Sequence, residues 1–155
     1  MNPGIILRLI GQLLMLFSIT LLPPAVVDIF YGEDAGHAFF YSYLLLLATG
    51  FLLWLPVRKR KAELRLRDGF VVVVSFWTVL GLAGSLPFLL YEPLTVSVSD
   101  AVFESVSGLT TTGATTFVGL DELPHSILFY RQELQWLGGM GIIVLAVAVM
   151  PMLGI

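Results

Sequence analysis

An all-α membrane protein is expected here: four transmembrane helices plus one re-entrant half-helix and an extended filter loop. Three features carry that expectation. Of 155 residues, 57% are hydrophobic and only 12% charged, roughly half the charged fraction of a typical water-soluble domain. Four uncharged stretches, Leu9–Val27, Ala38–Val57, Phe70–Leu90 and Trp136–Ile155, each reach about 20 residues, enough at ~1.5 Å per residue to cross a ~30 Å hydrocarbon layer. Between the third and fourth lies a helical pattern too short to cross, followed by a run of threonines.

The first span follows Arg8 and is expected to end near Pro23-Pro24, because the second proline withdraws an amide from the helical ladder. It is too long for a secretory h-region and lacks a small-x-small cleavage site. Asp28 to His37 is a short acidic link, so the first two spans form a hairpin. Arg58–Asp68 then carries six basic and two acidic residues, a net +4. A short loop with that excess stays on the cytoplasmic side, which also makes the N-terminus cytoplasmic. The same run can serve as a topology anchor or as a docking surface for a cytoplasmic partner or anionic lipid. In the third span, Gly81, Gly84 and Ser85 give a flat side for a neighbouring helix. In the fourth, Gly138, Gly139 and Gly141 point to backbone-to-backbone packing. They do not form a nucleotide fingerprint, since no strand precedes them and no acidic residue follows.

The segment from Val98 to Phe117 carries the chemistry. Ser97 or Ser99 can cap a helix, Asp100 suits its first turn, and Gly108 supplies a stop. A helix over about 99–108 spans ~15 Å, half of the hydrocarbon layer. The polar segment after it, about 110–114, is therefore expected to lie partway into the membrane, where nonhelical backbone survives only if protein buries it or water reaches it. The helix C-terminus brings partial negative charge, and an extended strand can present a column of carbonyls to a desolvated monovalent cation. Thr111 and Thr112 are the expected principal ligands, with Thr110 and Gly113 extending the column. Threonine stiffens the extended chain, while Gly113 is free to take a positive φ and turn its carbonyl inward. The alternative is an exposed, hydroxyl-rich turn between two spans.

Ser99-Asp-Ala-Val-Phe-Glu-Ser-Val-Ser-Gly-Leu-Thr-Thr-Thr-Gly-Ala-Thr115, with Leu134-Gln-Trp-Leu-Gly-Gly-Met-Gly-Ile-Ile-Val-Leu-Ala146, resembles the first membrane-pore-membrane repeat of the TrkH-type potassium uptake proteins of the Trk/Ktr/HKT superfamily. The resemblance implies an N-terminal two-helix unit over 1–57, a basic cytoplasmic loop over 58–68 and the repeat itself over 69–155. It also implies a single-glycine filter strand with K+ at Thr111 and Thr112, placement in the bacterial inner membrane, and a cytoplasmic TrkA-like regulatory ring as partner. One strand cannot enclose an ion, so three further repeats are expected. Missing sequence is favoured as their source over separately encoded pieces or self-association into a homotetrameric cation channel, because the chain ends in apolar residues.

Glu104 and Arg131 both lie at membrane-adjacent depth, where an unpaired charge is costly. They either pair or face water and headgroups separately. Asp121, Glu122 and Glu133 add acidic charge on the outer side. His125 reads as an interfacial residue, not a metal ligand, and His37 stands alone. The net charge of −3 offers no surface for nucleic acid, and the absence of cysteine removes disulfides and thiolate sites. No nucleophile triad or paired acid/base spacing emerges, so no enzyme is expected, and no cofactor beyond the transported ion K+. A nontransporting membrane scaffold or accessory subunit is the competing class.

Overall fold

The structure, a computed structural model, describes residues 3–58 and 66–149. Every regular element among these residues is helical: α1 (Pro3–Ile19), α2 (Leu22–Tyr31), α3 (Gly36–Trp54), α4 (Leu66–Ala83), α5 (Leu86–Leu90), α6 (Val98–Leu109) and α7 (His125–Val149), with short 3-10 turns at Leu55–Val57, Glu92–Leu94 and Leu120–Glu122. Most of the basic run, residues 59–65, and the last six residues of the fourth expected span, 150–155, lie outside the described residues. Three helical stretches among the described residues are long and apolar enough to cross a membrane: Pro3–Tyr31, Gly36–Val57 and Val73–Leu90. They coincide with the first three expected spans.

Prolines shape two of these stretches. The rings of Pro23 and Pro24 crowd the carbonyls four residues earlier and supply no amide, so the ladder breaks ahead of them. Thr20 and Leu21 instead donate to Phe17 and Ser18 carbonyls, each at 3.1 Å, three residues back. The prolines then sit in the first turn of α2, where amides lack intrahelical acceptors anyway. The helical path therefore does not end at Pro23-Pro24 as expected; it breaks and resumes to Tyr31, where Gly32 closes it at φ 66°. Pro87 acts in the same way between α4 and α5.

Glycines set the helix crossings. A methyl on Gly11 would lie 2.7 Å from the Gly50 carbonyl oxygen, and one on Gly50 equally close to that of Gly11, so α1 and α3 touch backbone to backbone. The flat side expected on the third span packs against α6: methyls on Gly81 and Gly84 would run into Val106 and Ser105. Around these contacts, Phe39 of α3, Phe88 of α5 and Tyr130 of α7 form a buried aromatic centre, with ring centroids 5.4 and 5.3 Å from that of Tyr130. The Tyr130 hydroxyl donates to the Gly84 carbonyl at 2.8 Å, so its polar tip is satisfied.

α7 begins at His125, about three turns before the expected Trp136. Arg131 and Glu133 are consequently inside this helix, not ahead of it. The early start has a cause in α2 and its following turn. Glu33 receives the His125 and Ser126 amides at 2.8 and 3.1 Å, supplying an anion to first-turn donors that have no intrahelical partner. Asp28, buried, accepts from Ala35 N and from Ser126 Oγ, both at 3.0 Å. The acidic link is therefore a clamp joining α2, α3 and α7.

Candidate ion-binding site

Helix α6 starts one residue before its expected first position. Ser97, not Ser99, is the cap: its hydroxyl accepts the Asp100 amide at 3.1 Å and donates to the Asp100 carboxylate at 2.6 Å. The helix runs through Gly108 to Leu109, so Gly108 is not the expected stop. It is a packing residue, since a methyl there would come within 3.0 Å of Leu134 Cβ.

The stop is a threonine. Thr111 N donates to Gly108 O at 2.9 Å and Thr112 N to Ser107 O at 2.9 Å, the paired bonds of a Schellman motif, whose left-handed position is ordinarily glycine. Thr111 occupies it with φ 56°, a costly conformation for a β-branched side chain. It is not extended, as had been expected for this strand. Gly113 follows at φ 73°, the positive φ expected of it.

Hydrogen bonds pin the segment from behind. Ser107 Oγ donates to Ala114 O at 2.6 Å, and Thr110 Oγ1 donates to Val106 O at 2.8 Å while meeting Thr112 Oγ1 at 2.8 Å. Among the described residues the carbonyls of Thr110, Thr111, Thr112 and Gly113 accept no hydrogen bond, and all four residues are exposed on this chain. Beneath them, Gly138 of α7 lies directly against the Leu109 backbone, with a would-be methyl 2.6 Å from the Leu109 carbonyl carbon. Of the three fourth-span glycines, Gly138 makes the close approach: among the described residues, methyls on Gly139 and Gly141 would find nothing nearer than 3.8 and 4.0 Å.

Glu104 and Arg131 are paired, and both are buried, at 4% and 8% exposure. Arg131 Nε donates to Glu104 Oε1 at 2.6 Å. The other oxygen, Oε2, accepts Thr115 Oγ1 at 2.9 Å and Thr116 N at 3.2 Å. Phe117, buried next along the chain, packs edge-on against Phe88 with centroids 5.2 Å apart and lies 5.9 Å from the Arg131 guanidinium carbon. Neither the Ser107 bond nor the two threonine bonds to Glu104 had a sequence signal, because each joins residues seven to twelve positions apart across a nonhelical turn.

Above the segment, Asp100, Thr116 and Glu122 are among the residues lining an open depression of about 470 Å3. Asp121 is exposed beside it, whereas Glu133 is only partly accessible on α7. His125 is committed elsewhere, with Nδ1 2.7 Å from Glu33 and its ring stacked on Tyr31 at 4.0 Å. His37 lies at a tilt against Tyr91, centroids 6.5 Å apart. Among the described residues no group of three or more His, Asp or Glu side chains is arranged to hold a metal.

This arrangement matches proteins already described. Residues 35–155 match the family model described as TrkH, cation transport protein. The Trk system potassium uptake protein TrkH of Vibrio parahaemolyticus is 61% identical over 97% of this chain and 31% of its own length. The Escherichia coli K12 protein of the same name is 58% identical over the same shares. The crystal structure of the potassium transporter TrkH from Vibrio parahaemolyticus superposes on the whole chain and 33% of its own, with a TM-score of 0.94 at 59% identity. The chain thus spans about a third of the length of these relatives. With its apolar helices it is a multi-pass membrane protein, and it belongs to the TrkH family of cation transport proteins.

Proposed function

We propose that this chain contributes one of four filter strands to a potassium uptake protein, in which the carbonyls of Thr111 and Thr112, extended by Thr110 and Gly113, replace the hydration shell of K+. The observation that carries this reading is the row of four consecutive carbonyls without hydrogen-bond partners among the described residues, on a turn pinned from behind by Ser107 and Glu104. Exposed on this chain and held in place from behind, these carbonyls are open to a cation in the assembled protein. The C-terminus of α6 adds partial negative charge beneath it. The nearby Glu104–Arg131 pair is formally neutral and leaves the local field to the carbonyl dipoles.

On this reading residues 1–57 are a two-helix unit, 58–68 a cytoplasmic loop and 69–155 a membrane-pore-membrane repeat, with α7 as the fourth span and α6 as a re-entrant half-helix. The N-terminus lies on the cytoplasmic side of the inner membrane. The remaining repeats close the ring, and a TrkA-like cytoplasmic partner regulates it. Support comes from the relatives, whose names specify potassium uptake, and from the length of α6, 12 residues or ~18 Å, again short of a full crossing.

The test is ion uptake by the assembled transporter in cells that lack other potassium uptake. Gly113→Ser forces a side chain onto φ 73° and should lower K+ over Na+ selectivity. Unchanged selectivity would remove Gly113 from the filter. Substitutions at Thr111 and Thr112 that alter assembly but leave ion flux intact would favour a nontransporting scaffold.

A further inference from the structure

A buried ion pair is weak evidence for stability, because the cost of desolvating two charges often cancels their attraction, and a well-packed apolar pair can do as well. The Glu104–Arg131 pair therefore calls for another role, and its geometry names one. Arg131 engages only Oε1, through Nε at 2.6 Å and through Nη2. That leaves Oε2 for the chain immediately beyond the carbonyl column: Thr115 Oγ1 at 2.9 Å and Thr116 N at 3.2 Å. Thr115 Oγ1 in turn accepts the Phe117 amide at 3.1 Å. One carboxylate oxygen thus organises three consecutive residues, and the guanidinium fixes the plane from which it does so.

Resting on the reading that Thr110 to Gly113 line the ion path, we infer that Glu104, oriented by Arg131, is a positioning residue that sets the spacing of the filter carbonyls without touching the ion. A site that discriminates by ligand distance must hold its oxygens within ~0.5 Å. The near end of this segment is fixed by the Schellman turn, with Thr111 and Thr112 bonded to the last turn of α6. Its far end has no helix to hold it. Ser107 takes Ala114, and Glu104 takes the two residues after that. Loss of the Glu104 contacts leaves the far end held by the Ser107–Ala114 bond alone, so that the column is freer to contract around a smaller ion.

The experiment measures K+ against Na+ uptake and monodisperse yield for the assembled transporter containing this chain, with Thr115→Val, Thr115→Ser and Glu104→Gln. Thr115 is exposed and valine matches its shape, so Thr115→Val deletes the hydroxyl without emptying a core position. It should assemble normally and lose selectivity by about 10- to 100-fold, the size usual when a hydrogen bond behind a metal ligand is removed. Thr115→Ser restores the hydroxyl and should restore selectivity. Glu104→Gln turns an amide toward Arg131 or toward Thr116, breaking one side of the relay, and should lose selectivity where it assembles; where it does not, the valine and serine variants decide. Normal selectivity in Thr115→Val, or equal losses in the valine and serine variants, would overturn the inference. Gly113→Ser run alongside separates the two levels: if it alone loses selectivity, the filter assignment stands and the positioning role fails; if it too is unchanged, the filter assignment itself is wrong.

Discussion

Gly138 and Gly139 are neighbours on α7 with opposite environments, which makes a substitution pair with an internal control. A methyl on Gly138 would lie 2.6 Å from the carbonyl carbon and 3.0 Å from Cα of Leu109, whereas nonbonded carbons rest at ~3.5–4.0 Å. The two helices must part by about 1 Å. No side-chain rotation can absorb this, because both walls are backbone, and Leu134 already fills the space one turn earlier against Gly108. Overpacking of this kind costs ~1–3 kcal/mol, partly offset by the ~0.5–1 kcal/mol that alanine gains over glycine inside a helix. Among the described residues, a methyl on Gly139 meets nothing closer than Thr111 Cγ2 at 3.8 Å, so there only the gain applies. Gly138→Ala should therefore be less stable than Gly139→Ala by about 1–3 kcal/mol. Because Leu109 leads directly into Thr110–Gly113, the displacement should also lower K+ over Na+ selectivity. Thermal unfolding of the purified assembly and competitive uptake read the two effects. Equal stability and equal selectivity of the two alanine variants would refute the close-packing argument.

Two further perturbations test other parts of the account. Thr111→Gly relieves a left-handed conformation that costs an L-residue ~1–2 kcal/mol, less the unfolded-state entropy glycine adds, ~0.5–1 kcal/mol. It should raise or hold thermal stability while reducing selectivity, and a clear loss of stability would contradict the strain assignment. For Glu33, burial pushes the carboxyl up, but the amide and ring of His125 and the amide and hydroxyl of Ser126 outweigh it and hold the group below its ordinary 4.5. A carboxylate depressed on folding adds stability that is complete above its unfolded value and disappears as pH falls through the folded one. Unfolding monitored across acid pH should thus show a destabilising limb below about 4.5 that Glu33→Gln flattens; an identical limb in the variant would refute this role for Glu33.

What the sequence made legible follows from which interactions are local. Uncharged runs of about 20 residues located the three apolar helical stretches, because crossing a bilayer is a requirement on length and composition alone. The short helix α6 and the special backbone at Gly113 were also readable, since a capping serine, an acidic first turn and a glycine act within a few residues. The misplacements share a tertiary cause. α7 starts at His125 because Glu33, 92 residues away, receives its first amides, and no windowed pattern contains that contact. Pro23-Pro24 carry the local signature of a terminator, yet two consecutive prolines fit the first turn of a second helix stacked on the first. Gly108 and Thr111 exchanged roles: the glycine was needed for contact with Leu134, so the turn took its left-handed residue from the threonines. Pairing of Glu104 with Arg131 was one of two open readings, and only the packing of α6 on α7 selects it.

The proposed function places the ion on the carbonyls of Thr111 and Thr112. Anomalous diffraction from the assembled protein soaked in a heavier alkali cation tests it most directly. Density is expected on the pore axis in direct contact with those two carbonyls. Ordered cation density elsewhere along the axis, with the oxygens of residues 110–113 turned into protein hydrogen bonds, would contradict it.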